Sequence, residues 1–344
     1  MTIVLSVAVT LGLCFILLHV RYPFIFRHVG PQMWSIGIGR INSLTDKIEP
    51  FSVISHKDIK QINGSDYIAD PFFYKKGDVY YLFVEAAVEN FGRIDVLTST
   101  DLHNWTFEGI ALERKFHLSY PQVVTWKDQV YMIPETKGAE AVSLYSTKQF
   151  PLKWEKQRDL ISGKYLDATL VVNNDEVYLF AADRDYKLFC FVSDDLEKGE
   201  FTEHPMSPLG IGEKMRPAGR PIHMEGELIL PVQSRRKGYG YAVYSLIISD
   251  LSPQIIKYKK GGALVKPLKH HQYFKHGIHH LDIQKDTDGF VFVMDGRVGT
   301  KVTYWRMNWQ LAWSNHINDV RSFFIMRRNN KRSEKISNTN CITK

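Results

Sequence analysis

Cysteine is nearly absent from the 344 residues: only Cys14, Cys190 and Cys341 are present. One lies in the apolar N-terminus, one in a predicted strand and one in the tail, so no disulfide framework can be built from them. That scarcity suits a reducing compartment. Charge is also missing at the start. From Thr2 to Val20 there is no Asp, Glu, Lys or Arg, and such a stretch is long enough to span a bilayer. No charged segment precedes it and no small-residue cleavage site follows, which argues against a cleaved signal peptide. Leu13 is too large for the position before a lipoprotein cysteine. Acidic residues fall short of basic ones, giving a formal charge of +7. The surplus sits towards Arg327-Arg328-Asn329-Asn330-Lys331-Arg332. No nucleic-acid motif accompanies it, so the expected partners are lipid head groups or phosphorylated substrates rather than nucleic acid.

The apolar stretch is followed by Arg21, Arg27 and His28. The positive-inside rule then predicts a single uncleaved span with the rest of the chain in the cytoplasm. A type II anchor with a luminal domain is the competing arrangement. It would make the sequons Asn63-Gly64-Ser65 and Asn104-Trp105-Thr106 usable.

What is abundant is a repeated strand pair. Each copy starts polar, runs apolar through a tight turn, and ends an aromatic-rich strand on a polar group. The copies begin at Ala69-Asp70-Pro71-Phe72, Ser119-Tyr120-Pro121-Gln122, Leu166-Asp167-Ala168-Thr169, Arg216-Pro217-Ala218-Gly219-Arg220 and His279-His280-Leu281-Asp282. Their starts lie roughly 45 to 65 residues apart, the length of one four-stranded propeller blade. A second phrase, Ser99-Thr100-Asp101-Leu102 with Trp105, recurs in phase at Ser146-Thr147, Ser193-Asp194-Asp195 and Ser249-Asp250. The spacing predicts an all-β, five-bladed β-propeller over residues 49–310. An anchor (1–20) and a connector (21–48) precede it, and a basic, partly helical extension (311–344) follows. The stretch Pro50 to Ile62 is expected to complete the last blade, since a closed ring leaves no free edge. Trp305, Trp309 and Trp313 stand at i, i+4, i+8, one face of a helix either packed on the propeller or lying at a membrane surface.

Several of these motifs, with Trp34-Ser35-Ile36-Gly37-Ile38, His117-Leu118-Ser119-Tyr120-Pro121 and Met132-Ile133-Pro134-Glu135, resemble the N-terminal propeller domain of glucosamine inositolphosphorylceramide transferases and their bacterial relatives. That domain is in turn similar to the five-bladed propeller of family-43 glycoside hydrolases. The resemblance covers about residues 34 to 296 and implies a role in glycolipid or surface-polysaccharide assembly. The plant enzymes carry a separate glycosyltransferase domain after this one, so transferase activity is not carried over directly.

In family-43 hydrolases the general base opens blade one, where Asp70 stands, and a pKa-tuning Asp opens blade three, where Asp167 stands. The general acid is a Glu near the start of blade four. Here that place holds Arg216 and Arg220, with Glu213 nearby. Glycoside cleavage needs a carboxylic acid and a carboxylate. An Arg cannot donate a proton, but it can clamp a phosphate. The expected pocket therefore unites Asp70 and Asp167 with Tyr120, Glu135, Arg216, Arg220, His279 and His280, and binds an anionic or phosphate-linked glycan. Glu85, Glu135 and Asp183 end second strands and are expected as a channel-facing ring. No cofactor is expected. A central divalent ion beside His280, as family-43 relatives often have, is the alternative. Two other functions stand beside processing or transfer: a non-catalytic module serving a partner glycosyltransferase, and a hydrolase with Asp70 as base and Glu213 or Glu135 as acid.

Overall fold

In the computed structural model of the chain, residues 2–89, 91–287 and 289–342 are described. Their strands form five antiparallel sheets arranged as the blades of a propeller. Blade one runs Tyr67–Lys76, Val79–Val88, Phe91–Ser99 and Thr106–Leu112. Blade two runs Ser119–Trp126, Gln129–Glu135, Ala141–Gln149 and Leu152–Ser162. Inner strands are buried almost throughout because each is sandwiched between neighbouring blades. The outer strand Thr106–Leu112 alternates exposed and half-buried positions before it turns inward. Asp101 fixes the turn before that strand by accepting from the backbone N–H groups of His103 and Asn104, and Trp105 then lies against Phe73 with ring centroids 6.1 Å apart.

The first three inner strands share one irregularity. Asp70-Pro71, Tyr120-Pro121 and Asp167-Ala168 each set two residues against one on the partner strand. These are β-bulges. Their first residues lie in the left-handed region, with φ of 48° at Asp70, 51° at Tyr120 and 48° at Asp167. A non-glycine residue there is strained by about 1–2 kcal/mol. The strain turns three equivalent side chains out of the pleat and towards the axis. In blade four the inner strand breaks instead, into Arg216–Pro217 and Ile222–Met224, both paired to Glu227–Ser234. Gly219 sits in the gap with φ 143°.

Blade five closes the ring with chain from both ends. Leu281–Asp286 and Gly289–Met307 come from the C-terminal side, while Ile25–Ile41 and Ser52–Ile54 supply the two outer strands. Part of the segment expected as a connector, residues 21–48, is therefore a 17-residue strand. It pairs with Gly289–Met307 from Ile25↔Met307 to Ile41↔Phe290. Trp305 lies in this strand pair rather than in a helix. The helical pattern begins only at Trp309.

Three helices complete the chain. Helix α1, Thr2–Arg21, is exposed from Val4 to Leu18, and its segment Val4–Arg21 is long and apolar enough to cross a membrane. Helix α2, His56–Asn63, opens on a Ser55/Asp58 capping box and ends at left-handed Gly64. Helix α3, Trp309–Ile342, crosses back over blades three and four. Its Asn329 amide donates to the Met206 carbonyl at 2.8 Å. It also meets the end of α1, through Arg21–Asp319 at 2.9 Å. Phe24, just beyond α1, stacks on Trp309 with centroids 3.8 Å apart. Cys14 is exposed and Cys190 buried; the side chains of Arg27, His28 and Cys341 lie outside the described residues.

Blades four and five touch through backbone at Gly219: a Cβ there would stand 1.9 Å from the Leu281 carbonyl oxygen. Gly219→Ala should cost about 2–4 kcal/mol in denaturant unfolding. Gly226→Ala, also at positive φ but with open space around it, should cost about 1 kcal/mol. Equal losses would show that the contact between the blades is not tight.

Candidate functional site

Where inner strands converge, one face of the propeller opens into a cavity of about 690 Å³. Asp70, Glu85, Glu135, Arg216 and His279 reach it, and Trp34, Tyr67 and Tyr239 supply aromatic walls. Of the ring expected from second-strand ends, Glu85 and Glu135 face this cavity. Asp183 does not: its carboxylate accepts from the Lys187 backbone N–H at 2.8 Å and shapes a turn.

Arg216 organises one side of the floor. Its Nε and Nη2 donate to the two oxygens of Asp167 at 2.5 and 2.9 Å, and Nη2 lies 3.8 Å from Glu135. Gln233 donates to Asp167 at 2.8 Å, and Lys137 donates to Glu135 at 2.8 Å. Burial pushes Asp167 up to about 6 against the pull of Arg216. Burial also opposes ionisation of Glu135, but Arg216 and Lys137 hold its pKa below the usual range. Glu135 is therefore a carboxylate at neutral pH and not a proton donor.

The other side is built on Asp295, which follows the aromatic run of the fifth copy's second strand as Glu85 and Glu135 do in the first and second copies. It accepts from the backbone N–H groups of His279 and His280 at 2.9 and 3.0 Å. His279 stands between two acids, with Nδ1 2.5 Å from Asp295 and Nε2 3.5 Å from Asp70. Burial works against the Asp295 charge, yet His279 keeps its pKa low. Asp70 goes the other way. Burial first, then the charges of Glu85, Asp167 and Asp295, raise its pKa well above the usual carboxylate range.

Three expected site residues lie elsewhere. Tyr120 and His280 are fully buried under the floor. The Tyr120 hydroxyl accepts from the Gly219 N–H at 2.7 Å, and its ring meets His280 edge-on. Arg220 does not open into the mouth either. It donates to Asp282 at 3.0 Å, to the Val123 carbonyl at 3.0 Å and to the Phe73 carbonyl at 3.1 Å. From blade four it thus ties blades one, two and five together across the channel. Glu213 accepts from Ser234 at 2.8 Å and does not line the cavity. Residues missed in the sequence include Trp34, Tyr67, His117, Lys137, Tyr239 and Asp295. His117 bonds Glu85 at 3.2 Å, and that contact raises its pKa.

Asp70, His279 and Asp295 offer three ligand atoms within 4.8 Å of one another. One imidazole and two carboxylates suit a divalent cation, although the His279 ring already bridges the two acids. Below them burial lowers the His280 pKa to about 4. Neither of its ring nitrogens makes a well-formed hydrogen bond, although the Pro71 carbonyl acts on the ring. A buried neutral imidazole in that state has room for one more polar partner.

Residues 50–297 match the family described as "Glucosamine inositolphosphorylceramide transferase 1, N-terminal". The chain is 32% identical over 254 residues to glucosamine inositolphosphorylceramide transferase 1 of Oryza sativa subsp. indica, covering 67% of this chain and 33% of the relative. It is 27% identical over 248 residues to the Arabidopsis thaliana protein of that name, covering 67% and 32%. The chain thus spans about a third of the length of the curated relatives it matches. Among solved structures it resembles an α-L-arabinofuranosidase from Clostridium thermocellum, with a TM-score of 0.52 at 12% identity over 68% of this chain and 84% of that one. It also resembles a family-43 protein of a Bacteroides ovatus xyloglucan locus, with a TM-score of 0.51 at 18% identity over 70% and 54%. Those two likenesses show the fold alone.

Two outcomes check the electrostatics. Arg216→Ala leaves Asp167 and Glu135 without their buried cation and should cost about 3–5 kcal/mol in denaturant unfolding. Asp70 has a raised folded-state pKa, so its contribution to stability is fully present below the usual carboxylate range and is lost as pH rises beyond that range through the raised folded-state value. Asp70→Asn mimics the protonated form. Its Tm relative to wild type should therefore rise as pH rises above the usual carboxylate range; a Tm difference independent of pH would show that the Asp70 pKa is not raised in the fold.

Proposed function

The chain belongs to the family of the glucosamine inositolphosphorylceramide transferase N-terminal domain, and on that premise we propose that it is a membrane-anchored, carbohydrate-active protein of glycolipid biosynthesis. The channel mouth holds the glycan portion of a phosphate-linked glycolipid and takes part in its processing or transfer. The relatives' names supply the substrate class. One observation carries the reading: Asp70, whose pKa burial and neighbouring acids raise, lines one aromatic-walled cavity together with Glu85 and Glu135. Carboxylates accept from sugar hydroxyls, Asp70 donates, and Trp34 or Tyr239 can cover a sugar face.

An acid and a carboxylate across one cavity is also the minimum for glycosidic chemistry. In this proposal the raised pKa of Asp70 suits the acid role, while the family-43 resemblance assigns it the base role. Glu213 is not in place to serve as acid, and Glu135 is held ionised. The anionic group of the substrate is not clamped by Arg220, whose donors are taken up inside the propeller, nor freely by Arg216, whose charge is matched by Asp167 and Glu135.

In this proposal α1 is a membrane anchor with the propeller on the cytoplasmic side. The amide nitrogens of Asn63 and Asn104 are already donated, to Asp95 and Asp101 respectively, which fits sequons that are not glycosylated. A second reading, a non-catalytic module presenting glycan to a partner glycosyltransferase, is favoured by the Arg in the blade-four acid position.

Asp70→Asn separates the two. With the full chain in neutral detergent, turnover of an inositol-phosphate glycolipid should fall by about 10² to 10⁴-fold while sugar affinity, read by quenching of tryptophan fluorescence, stays within about threefold. Sugar binding without product from either wild type or Asp70→Asn would assign the protein to the second reading, turnover unchanged in Asp70→Asn would remove Asp70 from the chemistry, and failure of any sugar to bind would remove both readings.

A further inference from the structure

The last turn of α1 stands between two features that the sugar site does not use. On one side Leu18 and Tyr22 face Trp309, Ala312, Trp313 and His316 across a largely apolar groove. On the other, His19, Val20, Pro23 and Ile25 wall a cavity of about 750 Å³ whose remaining lining is strongly basic. Lys237, Lys266, Lys269, Lys275 and Arg297 all contribute, and no acidic residue lines it. The four lysines are exposed, and none forms an ion pair among the described residues. Lys237 rests near the Tyr241 ring, 5.3 Å from its centroid.

Arg297 is the built element of this cavity. Its Nη1 donates to the Tyr239 carbonyl at 3.1 Å and its Nη2 to the His276 carbonyl at 2.7 Å. Its Nε is buried with no partner. The guanidinium is thus held by neutral carbonyls, with no carboxylate bonded to it, and burial lowers its pKa. A buried cation of that kind is stabilised by an anion arriving from outside.

We propose that this cavity is a head-group site for an anionic membrane lipid, taking the phosphate between Arg297 and the lysines of the loop 266–275. Charge complementarity selects the anion. The position selects the source, because His19 and Val20 place the cavity where an apolar helix leaves a bilayer. Exposed Trp309, Trp313, Phe323 and Phe324 on α3 suit the same interface. Helix α3 supports this by its orientation: Asn315, Asn318, Ser322, Asn329 and Ser333 face the protein while those aromatics face out. The inference rests on the proposed function only in placing α1 in a membrane. Tyr239 lines the sugar cavity, and its carbonyl receives Arg297 from the basic one. A lipid phosphate held here would therefore lie beside the glycan mouth.

The test uses the full chain in a neutral detergent, titrated with dihexanoyl phosphatidic acid and followed by native mass spectrometry. Dihexanoyl phosphatidylcholine, inorganic phosphate and a nucleoside diphosphate are the comparison ligands. One phosphatidic acid per chain should bind saturably. Lys266→Gln/Lys269→Gln/Lys275→Gln should weaken it on the order of 10²-fold, while Lys148→Gln/Lys153→Gln/Lys156→Gln, the same charge change in blade two, should not. Equal binding by the two triple variants, or by phosphatidylcholine, would overturn the site. Displacement of the lipid by inorganic phosphate or the nucleoside diphosphate at similar concentration would overturn the lipid assignment in favour of a soluble phosphate ligand. If sugar binds the mouth but phosphatidic acid does not bind, this inference alone falls. If phosphatidic acid binds through the lysines but no sugar binds, the glycan reading alone falls.

Discussion

Inner strands converging on one axis bring acidic side chains together where little water can screen them, and the resulting repulsion is the constraint that shapes this channel. Asp70, Glu85, Glu135, Asp167, Asp282 and Asp295 are all buried. Left as six unpaired carboxylates they could not remain in the fold. Each is answered differently. Asp167 and Glu135 share Arg216, Asp282 takes Arg220, Asp295 takes His279, Glu85 takes His117, and the pKa of Asp70 is raised well above the usual carboxylate range. Asp70 has no arginine or lysine partner and shares His279 with Asp295, so the raised pKa favours its protonated form at the mouth.

The same constraint separates the two arginines of blade four. Arg216 sits at the level of the cavity and is matched by acids, so the mouth carries no free cation from blade four to attract an anion. Arg220 sits deeper and ties four blades together through one guanidinium. Positive charge available to a ligand lies outside the channel, in the basic cavity beside the end of α1. The proposed sugar mouth and the proposed anion site are thus neighbouring but distinct surfaces.

Much of the architecture was legible in the sequence because blades repeat: Asp70, Tyr120 and Asp167 open successive copies and prove to share one bulge and one left-handed backbone conformation. What the repeats could not convey was depth. Tyr120 and Asp70 are equivalent in sequence, yet the long phenol reaches under the floor to the Gly219 N–H while the short carboxyl stays at the surface of the cavity. Arg220 was read as a clamp because a flexible cation near a missing acid invites that role, and its three partners come from blades far away in sequence. The strand Ile25–Ile41 escaped notice because its partner, Gly289–Met307, lies at the other end of the domain. Trp305 shared helical spacing with Trp309 and Trp313 by coincidence, since the strand continues to Met307. Asp295 was the residue most within reach: it closes the repeated sequence of the fifth copy just as Glu85 and Glu135 close the first two.

The central claim is that the mouth bounded by Asp70, Glu135, Arg216 and His279 is where a glycan head group binds. An experimental structure of the full chain with a saturating glycan head group tests it most directly. The account predicts a sugar ring against Trp34 or Tyr239, with a hydroxyl or glycosidic oxygen within about 3.2 Å of Asp70. A sugar ordered on another face of the propeller, with this mouth empty, would contradict it.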